Sequence, residues 1–205
     1  MNAEKLTPSA TPTHTGKLTI STVPVRKALA MVEFSTVASG ITALDIITKT
    51  AQVDILAAQT ICPGKYMIIF CGSIGAVNAS LESARRVAHN MDEFLLGSPH
   101  PDIFPALMGT TLLPENAALG LVETYSGAAA IKAADAAAKT AYINLAQIHI
   151  AHGMCGKSTV MFTGEIAAVS TALEAAKKEA SDKGRLLDTA LIANPDKKML
   201  AAMNS

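Results

Sequence analysis

Two short segments of this chain carry side chains that could hold a metal ion. Residues 60–65 read TICPGK and place Cys62 before a proline and a glycine, while residues 149–157 place His149, His152 and Cys155 at intervals of three. Thiolates and imidazoles are common ligands of zinc and iron. On a regular strand, residues three apart point to opposite faces, so the second series does not predict converging ligands. Taken alone, Cys62 is more readily explained as a small apolar loop residue, and only a wider pattern makes it a candidate ligand.

The other two cysteines carry weaker signals. Cys71 lies in the apolar segment 67–71 and is expected to be a buried structural residue. Cys155 lies in a glycine-containing loop, where it could supply an additional ligand, a redox partner or neither. Residues 156–159 read GKST, like the end of a phosphate-binding loop, but Ala151 stands where that motif needs its first glycine. Nucleotide binding is therefore not expected.

Composition and charge argue against several classes of protein. The 17 basic and 17 acidic residues give a net charge of zero, whereas nucleic-acid-binding proteins usually carry a basic excess on one face. Three scattered cysteines do not make a secreted disulfide framework. The sequence shows no signal peptide, no apolar run of membrane-spanning length, and no Ser/His/Asp or paired-carboxylate arrangement. We therefore expect a soluble cytoplasmic protein that is not an enzyme and binds neither nucleic acid nor membrane.

An internal repeat determines the predicted architecture. Residues 28–51 and 118–141 are identical at 11 of 24 positions without a gap. Among the identical residues, Lys49 corresponds to Lys139, and the aspartate four residues earlier recurs as well. After an insertion of two residues in the second copy, the match resumes at the Gly-Lys pairs 64–65 and 156–157. A period near 90 residues is too long for a solenoid and indicates a duplicated domain.

Each copy shows the same order of predicted elements. Apolar runs and alanine-rich stretches with helical spacing indicate strand, helix, strand, strand, helix and strand in turn. The predicted strands span 28–33, 53–61, 66–71 and 94–96, then 118–123, 143–151, 158–163 and 186–192, and the predicted helices span 38–51, 74–90, 128–141 and 166–182. The expected fold class is α/β of the α+β kind, with two tandem ferredoxin-like β-α-β-β-α-β domains at 28–113 and 114–205. Because both helices lie on one face of each sheet, a neighbour is expected to cover the other face.

Two segments lie outside the repeat. Residues 1–27 contain six threonines, three prolines and a surplus of three positive charges, which predicts a flexible N-terminal extension. The alternative is a docking peptide or an added edge strand at residues 17–23. Residues 109–117 are predicted to link the two copies.

The repeated pattern resembles a known family. The sequence ALGLVET followed by AADAAAKTA, matched in both copies, resembles the bacterial microcompartment shell domain. The segments TICPGK and SPHP at 98–101 are more specifically similar to the tandem-domain, iron–sulfur-bearing type of propanediol-utilisation microcompartments. The resemblance implies a homotrimer that imitates a hexamer, packed edge to edge with other shell proteins around encapsulated enzymes. It also implies that Lys49 and Lys139 are contacts at the edge of this tile, although a solvated helix lysine is the simpler explanation for each.

The same resemblance implies a function for Cys62. In such proteins the loop between the second and third strands lines the central pore, and its cysteine holds a [4Fe-4S] cluster, one per trimer on the threefold axis, for electron transfer across the shell. The implied pore-lining residues are Thr60, Ile61, Pro63, Gly64, Lys65, His152, Gly153, Met154, Cys155 and Gly156. Three converging thiolates also suit a zinc ion, and a metal-free pore that conducts small metabolites is the alternative function. The sequence alone does not separate these possibilities.

Overall fold

The first repeat folds as the predicted β-α-β-β-α-β unit with one additional short helix. The computed structural model describes residues 27–109 and 112–204, without the side chain of Lys183. Its first elements are β1 (Ala28–Phe34), α1 (Val37–Thr50), β2 (Asp54–Ile61), β3 (Lys65–Gly72), α2 (Ile74–Arg85), β4 (Asn90–Gly97) and α3 (Ile103–Met108). The strands form one antiparallel sheet in the order β2-β3-β1-β4. This is the ferredoxin-like arrangement expected from the sequence.

The second repeat copies the first element by element. It consists of β5 (Ala118–Thr124), α4 (Gly127–Thr140), β6 (Asn144–Ile150), β7 (Ser158–Gly164), α5 (Ile166–Ser181), a 3-10 turn (Asp182–Gly184), β8 (Leu186–Ile192) and α6 (Lys197–Met203). Its sheet has the corresponding order β6-β7-β5-β8. The predicted fold class, with two tandem domains of this kind, is therefore confirmed. Apart from Lys27, the predicted N-terminal extension lies outside the described residues.

The predicted elements differ from the observed ones mainly at the end of each repeat. The second helix ends at Arg85 rather than near residue 90, because the chain tightens there with bonds from the Arg86 and Val87 N–H groups to carbonyls three residues earlier. The short helices α3 and α6 were not predicted. Each spans only six or seven residues, too short for a helical hydrophobic period to be recognised.

One face of the first sheet packs against its own two helices. Alternate residues of β1, from Ala28 to Phe34, join Ile47 of α1 and Leu81 of α2 in one apolar cluster. The Thr36 side chain caps α1 by accepting a hydrogen bond from the Ser39 N–H at 3.3 Å. Such caps contribute about 1 kcal/mol, and each buried large apolar side chain contributes about 1.5–3 kcal/mol.

The opposite face of the first sheet packs against α4 of the second repeat. Leu29, Met31 and Ile69 belong to the same apolar cluster as Ile131 and the alanines of α4. A Cβ atom on Gly127, the first residue of α4, would lie 3.4 Å from the Met31 sulfur across the two repeats and 2.6 Å from Ile150 Cγ2 of β6 in its own repeat, and the second contact leaves room only for glycine. Ten of the 14 residues of α4 are therefore buried, against three of 14 in α1. The neighbour expected from the sequence is thus a helix of the same chain.

The corresponding face of the second sheet is only partly covered. Leu119 and Ala146 pack against Leu113 and against Leu200 of α6. Nearer the other end of β5, Leu121 stays partly exposed, whereas its counterpart Met31 in β1 is fully buried. In the described part of the chain, the outer face of the first sheet is thus covered by a helix of the other repeat, and the outer face of the second sheet is not. In the described residues, no helix is both long enough and apolar enough to span a membrane.

Candidate functional site

The two loops singled out by the sequence meet at one end of the molecule. The β2–β3 loop contains Cys62, and the β6–β7 loop runs from Ala151 to Lys157. The Cys62 N–H donates a hydrogen bond to the Ala151 carbonyl oxygen at 3.3 Å. A Cβ atom on Gly156 would lie 3.4 Å from the Cys62 carbonyl oxygen. The packing of sheet on helix therefore brings together two predicted pore loops that are about 90 residues apart in the chain.

Cys62 and His152 occupy corresponding positions in the two repeats. Ile61 pairs with Lys65 across the first hairpin, and the Ala151 N–H donates to the Lys157 carbonyl oxygen across the second. Ile61 therefore corresponds to Ala151, and the residue after each is Cys62 or His152. The peptide groups that touch between the loops, 61–62 and 151–152, are consequently equivalent groups of the two domains.

One cavity of about 310 Å³ is lined by both of these residues. Its other lining residues are Thr60, Ile61 and Gly64. The Cys62 side chain is half-buried and forms no disulfide, so its thiol is open to a ligand in this cavity. The Nε2 atom of His149 lies 2.8 Å from the His152 carbonyl oxygen, and both histidines line a separate cavity beside β2 and α3. That the series His149, His152 and Cys155 does not converge on a metal stays a prediction.

The remaining predicted pore residues form the two turns around this cavity. Gly64 and Gly153 have left-handed backbones, with φ of 69° and 66°. Pro63 and Met154 lie in the same turns, and Cys155 is exposed with a φ of 53°. Among the residues that the structure describes, no three His, Cys, Asp or Glu side chains lie close enough together to hold a metal ion.

A carboxylate–lysine pair anchors the end of each loop, which sequence reasoning missed. Lys65 Nζ lies 2.8 Å from Glu33 Oε2, and Lys157 Nζ lies 2.7 Å from Glu123 Oε1. The hydrogen bond from Lys157 to Glu123, and the charge of that carboxylate, raise the pKa of Lys157 above 10.5. The signal for these anchors was present, because the glutamate and the lysine recur at equivalent positions in both repeats.

The predicted edge lysines both pair with an aspartate one helical turn earlier. Lys49 Nζ lies 2.7 Å from Asp45 on the exposed side of α1. Lys139 Nζ lies 2.6 Å from Asp135, which is only 5% exposed. Asp135 also accepts a hydrogen bond at 2.7 Å from the His100 N–H, in the loop after β4. The second pair is thus part of the contact between the two repeats, and the first pair faces outward.

Comparison with known proteins identifies the repeated unit. The family model described as the BMC domain matches residues 28–99 and again residues 118–195. The bacterial microcompartment shell protein PduT of Citrobacter freundii is 34% identical over 179 residues, which is 86% of this chain and 97% of that relative. The shell protein PduA of the same organism is 30% identical over 82 residues, which is 38% of this chain and 88% of the relative. That shorter relative therefore corresponds in length to about one repeat.

A solved structure agrees with this result. The crystal structure of a microcompartment protein from Desulfitobacterium hafniense superposes with a TM-score of 0.79 at 39% sequence identity. The match covers 83% of this chain and 96% of that structure. The two-domain arrangement described above is therefore shared along nearly the whole of that protein.

Proposed function

The chain belongs to the BMC-domain family and is a structural shell protein of a bacterial microcompartment with two BMC domains in tandem, and from this premise we propose that three copies close into a ring with a metal cluster at its centre. Six domains then surround one axis, and the β2–β3 loops hold a [4Fe-4S] cluster through Cys62. The cluster passes electrons across the shell.

The observation that supports the ring is a contact between a sheet face and a helix of the other repeat. The chain forms this contact once, and the two equivalent surfaces of the other pair remain uncovered. Inside the chain, the outer face of the first sheet meets α4, whose residues are mostly buried. The equivalent face of the second sheet and the equivalent helix α1 remain uncovered, with Val37 and Ile41 of α1 exposed. These two surfaces are not self-complementary but complement each other, so they join head to tail between copies. A head-to-tail contact that repeats the internal one closes after three chains when each domain contributes a sixth of a turn.

The contact between the two loops supports their position at the axis. In a ring of six equivalent units, corresponding points of adjacent units are as far from each other as each is from the axis. The corresponding peptides 61–62 and 151–152 touch, with Cys62 N and Ala151 O 3.3 Å apart. In a closed ring these peptides therefore line the centre, and three Cys62 thiols alternate with three His152 side chains around it.

The side chains present fit an iron–sulfur cluster assembled from several chains. Each chain offers one accessible Cys62 thiol beside a cavity, and three thiols face a common axis in the proposed trimer. Thiolates are the usual ligands of such clusters, which supply one-electron transfer when bound. Three cysteines leave one iron for a further ligand, because four are typical. Zinc with three thiolates and a water is the competing occupant.

The proposed partners follow from the shape of the tile. The outer rim carries Lys49 and Lys139, which we propose as contacts with other shell proteins at the tile edge. Lys49 has the greater freedom to make such a contact, since its partner Asp45 is also exposed. Encapsulated enzymes are proposed as a second class of partner on one face of the tile.

Metal analysis of protein purified without oxygen tests this function. The measurements are the iron and acid-labile sulfide content per trimer, the visible and electron paramagnetic resonance spectra, and the mass of the particle in solution. The expected result is a trimer with about four irons and four sulfides. Both should be lost in Cys62→Ser while the trimer remains, and the matched variant Cys155→Ser should keep them.

Other outcomes reject parts of the proposal separately. A trimer that contains zinc and no sulfide would replace the cluster by a zinc site. A trimer that contains no metal would leave a pore for small metabolites. A monomer would reject the ring, and a Cys62→Ser protein that no longer assembles would mean that the loop has a structural role instead.

A further inference from the structure

Inside each chain, Arg185 and Asp92 join the two repeats. We infer that His89 of one chain and Asp188 of the next form the equivalent junction between adjacent chains. Three of the six junctions in the ring then depend on the protonation of a histidine. This inference rests on the ring proposed above and specifies which groups close it.

The junction inside the chain is a salt bridge between the two repeats. Arg185, which precedes β8, donates from Nη2 to Asp92 Oδ1 on β4 at 3.3 Å, and its Nη1 also contacts the other carboxylate oxygen. The same Nη1 donates to the Ser126 side chain, the cap of α4, at 2.9 Å. The guanidinium therefore binds the carboxylate with both nitrogens and ties the start of α4 to the first sheet.

His89 corresponds to Arg185 in the first repeat. The Arg185 carbonyl oxygen accepts a hydrogen bond from the Tyr125 N–H, and the His89 carbonyl oxygen accepts one from the Ser35 N–H, both at 2.9 Å. Each residue thus directly precedes the fourth strand of its repeat. Its carbonyl oxygen binds the residue that precedes the cap of the first helix of that repeat. The backbone of His89 is left-handed there, with a φ of 68°.

Asp188 corresponds to Asp92 in the second repeat. Asp92 lies opposite Glu33 across the first sheet, and Asp188 lies opposite Glu123 across the second. Each aspartate also accepts a hydrogen bond at Oδ1 from the N–H of the residue that follows it, at 3.0 Å for Asp92 and 2.7 Å for Asp188. The carboxylates are therefore presented in the same way from equivalent strands.

The proposed ring brings the two exposed groups together. When the outer face of the second sheet covers α1 of the next chain, Asp188 takes the position that Asp92 has inside the chain. The residue that it meets is then His89 of that next chain. Both side chains are exposed in the single chain, as expected for groups whose partners come from another copy.

Asp188 is the charged group that we expect His89 to meet across the junction, as a comparison of the charged residues around the two junctions indicates. On its own chain, His89 is near Arg85 and Arg86 at the end of α2 and near Glu93, which is paired with Arg85. Around Arg185, the internal junction also contains Glu93 of the first repeat and Lys132, Glu179 and Asp182 of the second repeat. In the junction between chains, the repeat places Thr189 at the position of Glu93, Thr42 at that of Lys132 and Val87 at that of Glu179. Neither threonine carries a charge that would compete with Asp188.

The junction inside the chain contains an arginine and the proposed junction between chains contains a histidine, so the two junctions respond differently to pH. Arginine stays charged throughout the accessible range, whereas histidine ordinarily changes charge near pH 6.5. A protonated imidazole attracts the Asp188 carboxylate and favours assembly. Because assembly stabilises the protonated form, the contribution is complete below the ordinary histidine range and is lost as the pH rises through and above it. The internal junction does not change over the same interval.

Dilution of the protein at two pH values tests the inference. The fraction of trimer is measured by mass photometry or sedimentation at about pH 5.5 and about pH 8, on either side of the ordinary histidine range. An exposed pair changes association by about two- to fivefold, so three junctions should make the trimer about eight- to a hundredfold weaker at the higher pH. His89→Gln should behave at both pH values like the unchanged protein at the higher pH. His89→Arg, which copies the internal junction, should assemble equally well at both.

The outcomes separate this inference from the ring itself. A trimer whose pH dependence is the same in the unchanged protein and in His89→Gln would overturn the role of His89 and leave the ring intact. A protein that is monomeric at both pH values in all three variants would overturn the ring. Asp188→Asn, which removes the other partner, should abolish the same pH dependence, and retention of that dependence would also overturn the pair.

Discussion

Asp135 on α4 accepts a hydrogen bond from the backbone N–H of His100 at 2.7 Å and so joins the second repeat to the loop that ends the first. The carboxylate is only 5% exposed. Its counterpart Asp45 has a side chain that is 60% exposed and pairs with Lys49 on the open side of α1. The same aspartate of the repeat therefore joins the two domains when it stands in the second domain, as Asp135, and faces outward when it stands in the first, as Asp45.

Replacement of these two aspartates by alanine should have unequal effects on stability. Asp135→Ala removes a buried charged acceptor and should lower the free energy of unfolding by about 1.5–3 kcal/mol. Asp45→Ala removes an exposed pair and should change the free energy of unfolding by less than about 0.5 kcal/mol. Urea unfolding of both variants measures the difference. Equal losses of unfolding free energy in both variants would contradict this assignment.

A side chain at Gly127 should disturb the packing of the start of α4 against β6. A Cβ atom there would lie 2.6 Å from Ile150 Cγ2, on a β-branched side chain with little freedom to move. Gly127→Val should therefore lower the free energy of unfolding by about 1–3 kcal/mol through overpacking. Gly75→Val is the matched control, because a Cβ atom at this helix position meets nothing within 4 Å. The prediction fails if the two variants unfold at the same urea concentration.

The three thiols should react with an alkylating reagent in a fixed order. Cys155 is exposed, Cys62 is half-buried and Cys71 is fully buried in β3. In metal-free native protein, Cys155 and Cys62 should be modified, and Cys71 should react on the order of a thousandfold more slowly, because it becomes accessible only when the fold opens. Peptide mass spectrometry after timed quenching gives the three rates.

Metal binding should change only one of these rates. Loading of the proposed cluster should protect Cys62 and leave Cys155 reactive, since only Cys62 is a proposed ligand. Removal of the metal by a chelator under reducing conditions should restore the reactivity of Cys62. Protection of both cysteines together would show that Cys155 is also covered or ligated.

The lysine of the β6–β7 loop anchor should lose its charge only in strongly alkaline solution. The hydrogen bond and the negative charge of Glu123 raise the pKa of Lys157 above 10.5. While Glu123 is ionised, the pair therefore contributes below the ordinary lysine range and is lost as the pH rises through the raised value. Side-chain NMR titration should show the pKa of Lys157 returning toward 10.5 in Glu123→Gln.

A second acidic residue provides the control for this titration. The pKa of Lys197 is also raised, in this case by the hydrogen bond and charge of Glu115. Glu115→Gln should lower the pKa of Lys197 and leave that of Lys157 unchanged. If Glu123→Gln left the pKa of Lys157 at its raised value, the pair with Glu123 would not be the cause.

The sequence predicted the fold because each repeat contains its own local signals. The periods of the strands and helices and the glycine that ends β3 act over a few residues and are copied in both halves. The ends of the repeats were predicted less well, since α3 and α6 are short helices whose position depends on packing against the sheets.

The candidate site shows the limit of such local signals. The sequence by itself determined that the chain contains two similar domains, each with a loop between its second and third strands, and that Cys62 lies in one of them. Only the tertiary structure decided that α4 is enclosed while α1 is open, and that Cys62 meets the loop of His152. The two copies have nearly the same local pattern, so that pattern does not encode which copy is covered. The difference arises because one chain holds two domains in a head-to-tail contact, and such a contact between two equivalent units leaves one surface of each unpaired.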